Sequence, residues 1–320
     1  MSSPARIAIG VSACLLGQHV RYDGGHKADA IVTARLGSHW DLVPICPELA
    51  VGLGVPRPPI QLRQSVDGKT RAVGIYDEQL DPSESLLGLG HRLGHQLQHL
   101  CGYVFKARSP SCGLYTVPVT RADGTVLENG MGLYARGFLE RRPGMPVEEE
   151  GNLNVPQRYE NFIERICFYR RWLDLTTKGM PRSGALVTFH TRHKFQFLAH
   201  DQAGYRELGR WIAQLGGRWH KDFDPNEYLV LAMGTLSVSP SAGNHVNSLQ
   251  HLLGFFKTSR SQQERNELTR KFEAYGSGIG SLLPLLDELR AWAARDRQDY
   301  VAEQSYLNPT LAERDLRVWR

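Results

Sequence analysis

The chain predicts an α/β domain built mainly on parallel sheet, followed by an all-α domain. Three observations lead there. Short apolar runs bounded by turn signals alternate with a leucine-periodic stretch in the first half. A polar, proline-bearing segment then breaks the pattern near 145–158. Beyond it, apolar residues recur almost throughout at helical spacing. At 320 residues the chain is long enough for two cores.

In order, "RIAIGVSAC" (6–14), "DLVPIC" (41–46) and "GYVFKARS" (102–109) read as strands. Between the last two, Asp81-Pro82-Ser83-Glu84 is a helix-start signal: an N-cap, a proline at the first helical position and an early carboxylate. Leu86, Leu89, Leu93, Leu97 and Leu100 then repeat at helical spacing, with Gly102 as the expected stop. Helix then strand, repeated, implies crossovers in a parallel, Rossmann-like sheet. The segment "PGMPVEEEGNLNVPQ" marks a boundary, giving domains over 1–155 and 156–320. In the second, "RYENFIERICFYRRWLDL" (158–175) places Phe162, Ile166, Tyr169 and Leu173 on one face. Further helices are expected near 183–200, 203–216, 225–236, 243–258, 260–275 and 281–305.

No run approaches the roughly 18 apolar residues of a membrane span. "VSAC" at Val11–Cys14 resembles a lipoprotein cleavage site. The run before it is far shorter than the roughly 7–15 apolar residues of a secretory segment. A cytoplasmic protein without a membrane partner is expected. Residues 1–155 hold 15 Lys+Arg and 15 Asp+Glu, whereas 156–320 hold 23 and 18, so the net charge of +5 lies in the second half. That asymmetry suits a polyanion partner, though a solvated surface gives the same count.

Five cysteines in a reducing compartment favour metal or catalytic roles over disulfides. Cys14 and Cys46 end the first two strands, and Cys112 lies in the loop after the third. In a parallel sheet these strand ends share one edge. Structural zinc and a cubane cluster each usually take four protein ligands. Three thiolates on a 4Fe-4S cluster leave one iron open as a thiophilic Lewis acid. The same cysteines can equally be small core residues. Cys101, expected at a helix end, and Cys167, within a helix, read as core.

Glu48 follows Cys46 by two residues at an expected helix start, either as a helix-dipole carboxylate or as a base. Ser109 and Ser111 flank Pro110, as turn formers or as proton donors. Arg21, Asp23 and Arg57 fall near the same edge as candidate contacts to phosphate or polar base edges, and Lys106, which ends the third strand, and Ser111 are further candidate substrate contacts. Farther on, Arg182, Arg192, Lys194, Arg206, Arg210 and Lys257 are candidate phosphate contacts. Phe189, His190 and His193 are candidate stacking or polar contacts. For the two histidines no third and fourth metal ligand stands nearby in sequence.

The blocks "SACLLG…VRYDGG", "PICPELAVGLGVPRPP" and "FKARSPSCG" together resemble the thiouracil desulfidase family over roughly residues 5–150. Residues 160–320 resemble the helical domain fused to such desulfidases, and the pairing looks like enzymes that remove sulfur from 4-thiouridine in tRNA. The resemblance implies a 4Fe-4S cluster on Cys14, Cys46 and Cys112, with Glu48 as base and Ser109 as the catalytic serine, Ser111 remaining open for that role. It implies hydrolysis of a thiocarbonyl with sulfide release, the substrate sulfur lying on the open iron, and thiolated tRNA as partner. Competing expectations are a desulfidase of free thiouracil or thio-UMP, an open-iron dehydratase, and an RNA-binding protein with structural zinc.

Overall fold

In a computed structural model, residues 6–177, 179, 181–215 and 223–317 are described. They divide into two compact units, Met1–Tyr159 and Glu160–Arg320.

The first unit holds two four-stranded sheets. Strands β1 (Ala8–Ser12), β2 (Asp41–Ile45), β5 (Leu100–Phe105) and β8 (Val147–Glu149) form a wholly parallel sheet in the order β2-β1-β5-β8. Pro44 is tolerated in β2 because that strand is an edge. Every residue of β5 is buried, as expected of a central parallel strand. Gly10 of β1 pairs with Tyr103 of β5, and a Cβ there would lie 2.5 Å from the tyrosine ring. The glycine therefore lets that ring lie across the neighbouring strand, where it stacks on Phe105 at 3.8 Å.

Strands β3 (Ile60–Gln64), β4 (Thr70–Gly74), β6 (Val117–Thr120) and β7 (Val126–Gly130) form a mixed second sheet, in the order β4-β3-β6-β7. Sequence reading missed it. Its strands are four or five residues long, and β7 is largely exposed, so the apolar pattern is weak.

Short helices α1 (Gly37–His39) and α2 (Pro47–Ala50) flank β2. Helix α3 (Ser83–Gln96) packs on α4 (Leu133–Arg141). The expected start of α3 is nearly right: Asp81 Oδ1 accepts the Ser83 N–H at 3.0 Å. Its end is corrected. The helix stops at Gln96, and Leu100 to Gly102 belong to β5, because strand pairing outcompetes another helical turn. Cys101 accordingly lies in a strand rather than at a helix end, and it is buried. The boundary segment over 145–158 carries regular structure, namely β8 and the 3-10 turn Glu150–Asn154.

Helix α5 (Pro156–Thr176) crosses from the first unit into the second. The second unit continues through α6 (Ser183–His200), α7 (Gln202–Gln214), α8 (Pro225–Ser237), α9 (Ala242–Leu253), α10 (Gln262–Gly276), α11 (Leu282–Arg295), α12 (Asp299–Ala302) and α13 (Leu311–Arg317). Its core joins α6, α9, α10 and α11 through residues such as Leu198, Leu249, Phe272 and Leu286. The single helix expected over 281–305 is broken. Arg297 adopts φ +52°, and the Gln298 N–H closes on the Ala293 carbonyl at 2.9 Å, a C-terminal cap of the kind glycine usually makes. With arginine there, the sequence carried no stop signal.

Candidate functional site

The carboxyl ends of β1, β2 and β5 open on one cavity of about 590 Å³. In the order β2-β1-β5-β8 the chain leaves β1 toward β2 and β5 toward β8, in opposite directions, so the crevice between β1 and β5 is a topological switch point. Cys14 lies in the 3-10 turn Ala13–Leu16 just past β1. The Gly17 N–H closes that turn on the Cys14 carbonyl at 3.3 Å, and the Lys27 N–H ties a distant loop to the same oxygen at 2.9 Å. Cys46 bridges β2 and α2. Cys112 lies in the loop after β5, where its N–H donates to Ser109 Oγ at 3.1 Å. All three line the cavity. Cys101 and Cys167 are buried elsewhere, Cys167 against Thr310 Oγ1 at 3.4 Å.

Burial pushes the Cys14 thiol up to about 11, against a smaller opposing pull from the Lys106 ammonium. Burial likewise raises Cys46, and it raises Cys112 well above the ordinary thiol range despite a hydrogen bond from Ser12. Neighbouring thiols add to this: charge on Cys46 disfavours charge on Cys14, and both disfavour it on Cys112. These three thiols, two buried and Cys46 partly so, are therefore poor thiolates alone and good ligands for a cationic centre, whose charge offsets the repulsion. Among the described residues, no three His, Cys, Asp or Glu side chains stand close enough to share a single metal ion. Cysteines spaced around a cavity suit a multi-iron cluster, which spans more space than one ion. The donor set thus fits such a group.

Glu48, at the start of α2, lines the same cavity. Both its carboxylate oxygens are engaged. Arg57 donates from Nε at 2.8 Å and pairs through Nη2 at 2.7 Å to Oε2, and Ser111 Oγ donates to Oε1 at 2.9 Å. The remaining Arg57 donors reach the Gly54 carbonyl at 2.8 Å and the Val20 carbonyl at 3.0 Å. Arg57, a candidate substrate contact by its position in sequence, also lines the cavity, and all three of its nitrogens are engaged by protein groups. Ser111 is fully buried and committed to Glu48. Ser109 lines the cavity, and its Oγ accepts the N–H groups of Ser111 and Cys112 at 3.3 and 3.1 Å.

Arg21 lines the cavity, pairs with Asp23 at 3.6 Å and lies over the Tyr22 ring at 5.6 Å. Asp23 instead shapes its turn by accepting the Gly25 N–H at 2.9 Å. Lys106 also lines the cavity and pairs with Glu150, whose other oxygen accepts the Ala107 N–H at 2.7 Å. Buried Glu149 accepts the Leu114 N–H at 2.7 Å. Glu149 and Glu150 of the boundary segment thus brace the Cys112 loop. Sequence reading missed this role, together with Tyr22, Lys27, Arg108 and the cavity wall formed by Ile60 and Ile75. Tyr22 was visible inside "RYDGG", but the wall belongs to the unforeseen second sheet.

In the second unit, Arg206, Arg210 and Lys257 are exposed, and so is Arg182. Arg192 pairs with Glu303 at 3.0 Å, and Lys194 packs against two aromatic rings. Phe189, His190 and His193 are corrected: all three are buried in α6 and unavailable to a partner. His193 Nδ1 bonds the Phe189 carbonyl at 2.7 Å, and His190 bonds the Tyr228 hydroxyl at 3.3 Å.

The family model for 2-thiouracil desulfurase matches residues 9–150, and that for a domain of unknown function, DUF1722, matches residues 194–310. The uncharacterized protein YbgA of Escherichia coli (strain K12) is 31% identical over 154 residues, 48% of this chain and 90% of that protein. A solved [4Fe-4S]-dependent thiouracil desulfidase, TudS, is 34% identical, with 47% of this chain and 94% of that chain covered at a TM-score of 0.37. With its cysteine-lined cavity inside the first matched region and helices filling the second, the chain belongs to the thiouracil desulfidase family, in the form that carries a C-terminal DUF1722 domain.

Proposed function

We propose that this protein is an iron–sulfur-dependent desulfidase that converts 4-thiouridine in tRNA to uridine. The observation that carries the reading is the convergence of Cys14, Cys46 and Cys112 on one cavity also lined by Glu48 and Ser109. When bound by those cysteines, a 4Fe-4S cluster supplies an iron without a protein ligand, a Lewis acid suited to a thiocarbonyl sulfur. Glu48 takes a proton from the water that attacks the ring carbon. Its two oxygens, anchored by Arg57 and Ser111, hold the carboxylate at one orientation. Ser109 has its oxygen fixed by two backbone N–H groups, so its own proton is free to be donated into the cavity. Lys106 and Arg21 offset negative charge there. A base in folded tRNA leaves its stack to reach this depth, and the cations of the second unit hold the phosphate backbone.

A second reading keeps the chemistry and takes a free thiouracil base or nucleotide, as the name of the 34%-identical desulfidase favours. The test is anaerobic. Reconstituted protein is incubated with tRNA containing 4-thiouridine while the near-ultraviolet absorbance and sulfide are followed. Loss of absorbance with stoichiometric sulfide, absent without the cluster, is expected. An inert tRNA alongside turnover of free 4-thiouracil would replace the tRNA reading with the second one.

A further inference from the structure

The second unit exposes one large aromatic side chain among its described residues, Phe255, at 39%. It lies in the 3-10 turn Gly254–Phe256 that follows α9. The next residue, Phe256, is fully buried against Trp292 at 5.6 Å, so the turn anchors one ring and presents the other. Phe255 is held rather than loose. It meets the edge of Phe195 at 6.2 Å and leans on Tyr300 at 5.2 Å, with 37° between the rings. The Lys194 ammonium lies 4.9 Å from the centroids of both Phe195 and Tyr300. Lys257 is exposed two residues beyond Phe255.

The charge around these rings is uneven. Neither Lys194 nor Lys257 makes an ion pair with any other described residue. The neighbouring carboxylates are largely occupied: Arg192 holds Glu303 at 3.0 Å, and Arg260 holds Asp296 at 2.6 Å. Asp299, beside Tyr300, is the exception. A rigid, half-exposed ring, with the Lys194 ammonium against its two backing rings and exposed Lys257 two residues along the chain, suits a partner that is flat and apolar on its face and anionic along its backbone. Unpaired nucleotides have that chemistry: each base offers a face for stacking, and each linkage a phosphate.

We propose that Phe255, backed by Tyr300 and Phe195, is a stacking platform for an unpaired RNA base, with Lys194 and Lys257 taking the flanking phosphates. The proposal rests on the tRNA reading and deepens it, giving the second unit a defined contact. All five residues fall inside the DUF1722 match.

The test measures tRNA affinity of cluster-loaded protein across a salt series. Phe255→Ala should weaken binding between about five- and 150-fold, the range expected for one base–aromatic stack. Phe255→Trp should retain the affinity, because a larger ring still stacks. The paired change Lys194→Gln and Lys257→Gln should lower the salt slope by about two, one per lost phosphate contact. Thermal unfolding of each variant identifies any loss that comes from misfolding, and the tryptophan variant keeps the stacking claim testable if the alanine variant is unstable. Wild-type affinity in both Phe255→Ala and the double lysine variant would overturn the platform and leave the tRNA reading standing. No tRNA binding by the unaltered protein at low salt would overturn both.

Discussion

Glu48 illustrates how one side chain joins the fold to the chemistry. Its carboxylate links the Cys46 turn to the Cys112 loop through Ser111, and Arg57 neutralises it from a nearly buried position. Removing one partner of such a pair strands the other, at about 3–5 kcal/mol when burial is complete. Arg57→Met should therefore destabilise the protein by roughly the lower end of that range, since Glu48 keeps 15% side-chain exposure. Adding Glu48→Gln to that variant should recover most of the loss, measured by urea unfolding. Glu48→Gln alone should retain iron on reconstitution and lose at least about a hundredfold in turnover, the lower bound for a missing general base. Near-normal turnover in that variant would remove Glu48 from proton transfer and leave it as a brace.

At the scale of elements, the approach of α3 and α4 is set by glycine. A Cβ on Gly90 would lie 2.4 Å from the Tyr134 carbonyl oxygen, and one on Gly137 would lie 2.4 Å from that of Leu87. Both contacts are to backbone, which cannot rotate away. In a helix interior, glycine to alanine usually stabilises, so here the two rules oppose. The clash decides, because the helices would have to separate along their whole length. Gly90→Ala should cost roughly 1–3 kcal/mol through overpacking. An unchanged or raised urea midpoint would show that the helices part without penalty. The α4 face that would move carries Tyr134 and Phe138, which pack on Tyr103 of β5 at 6.3 and 5.4 Å. The strain would thus reach the central strand that leads into the Cys112 loop.

Across the whole molecule, stability depends on pH through groups that fold into neutral surroundings. Burial, reinforced by the Lys194 charge, lowers His190 to about 4, and burial with nearby Arg171 lowers His193 to about 3. Their ordinary value is 6.5. Below that value the unfolded chain binds protons that the folded one refuses, so stability is full above it. The contribution is lost progressively as the pH falls through the unfolded value toward 4. His193→Gln should reduce the fall in urea midpoint between pH 6.5 and pH 4 relative to the unaltered protein. An identical slope in the two would show that His193 protonates freely in the fold.

Much of this architecture is local and so legible from sequence. The strands β1 and β2 are short apolar runs, α6 follows its helical period from Ser183 to His200, and Cys14, Cys46 and Cys112 fall just past predicted strands. Parallel pairing then implies that three thiols distant in sequence share an edge. Tertiary structure decided the rest. It separated Ser109, facing the cavity, from Ser111, committed to Glu48. It made Arg57 an anchor for the Glu48 carboxylate at the cavity wall, buried Phe189 and exposed Phe255, and added a second sheet with little pattern of its own. Periodicity depends on the chain's immediate neighbours and survives in sequence. Burial and charge pairing depend on residues tens of positions away, and only the folded chain brings those together.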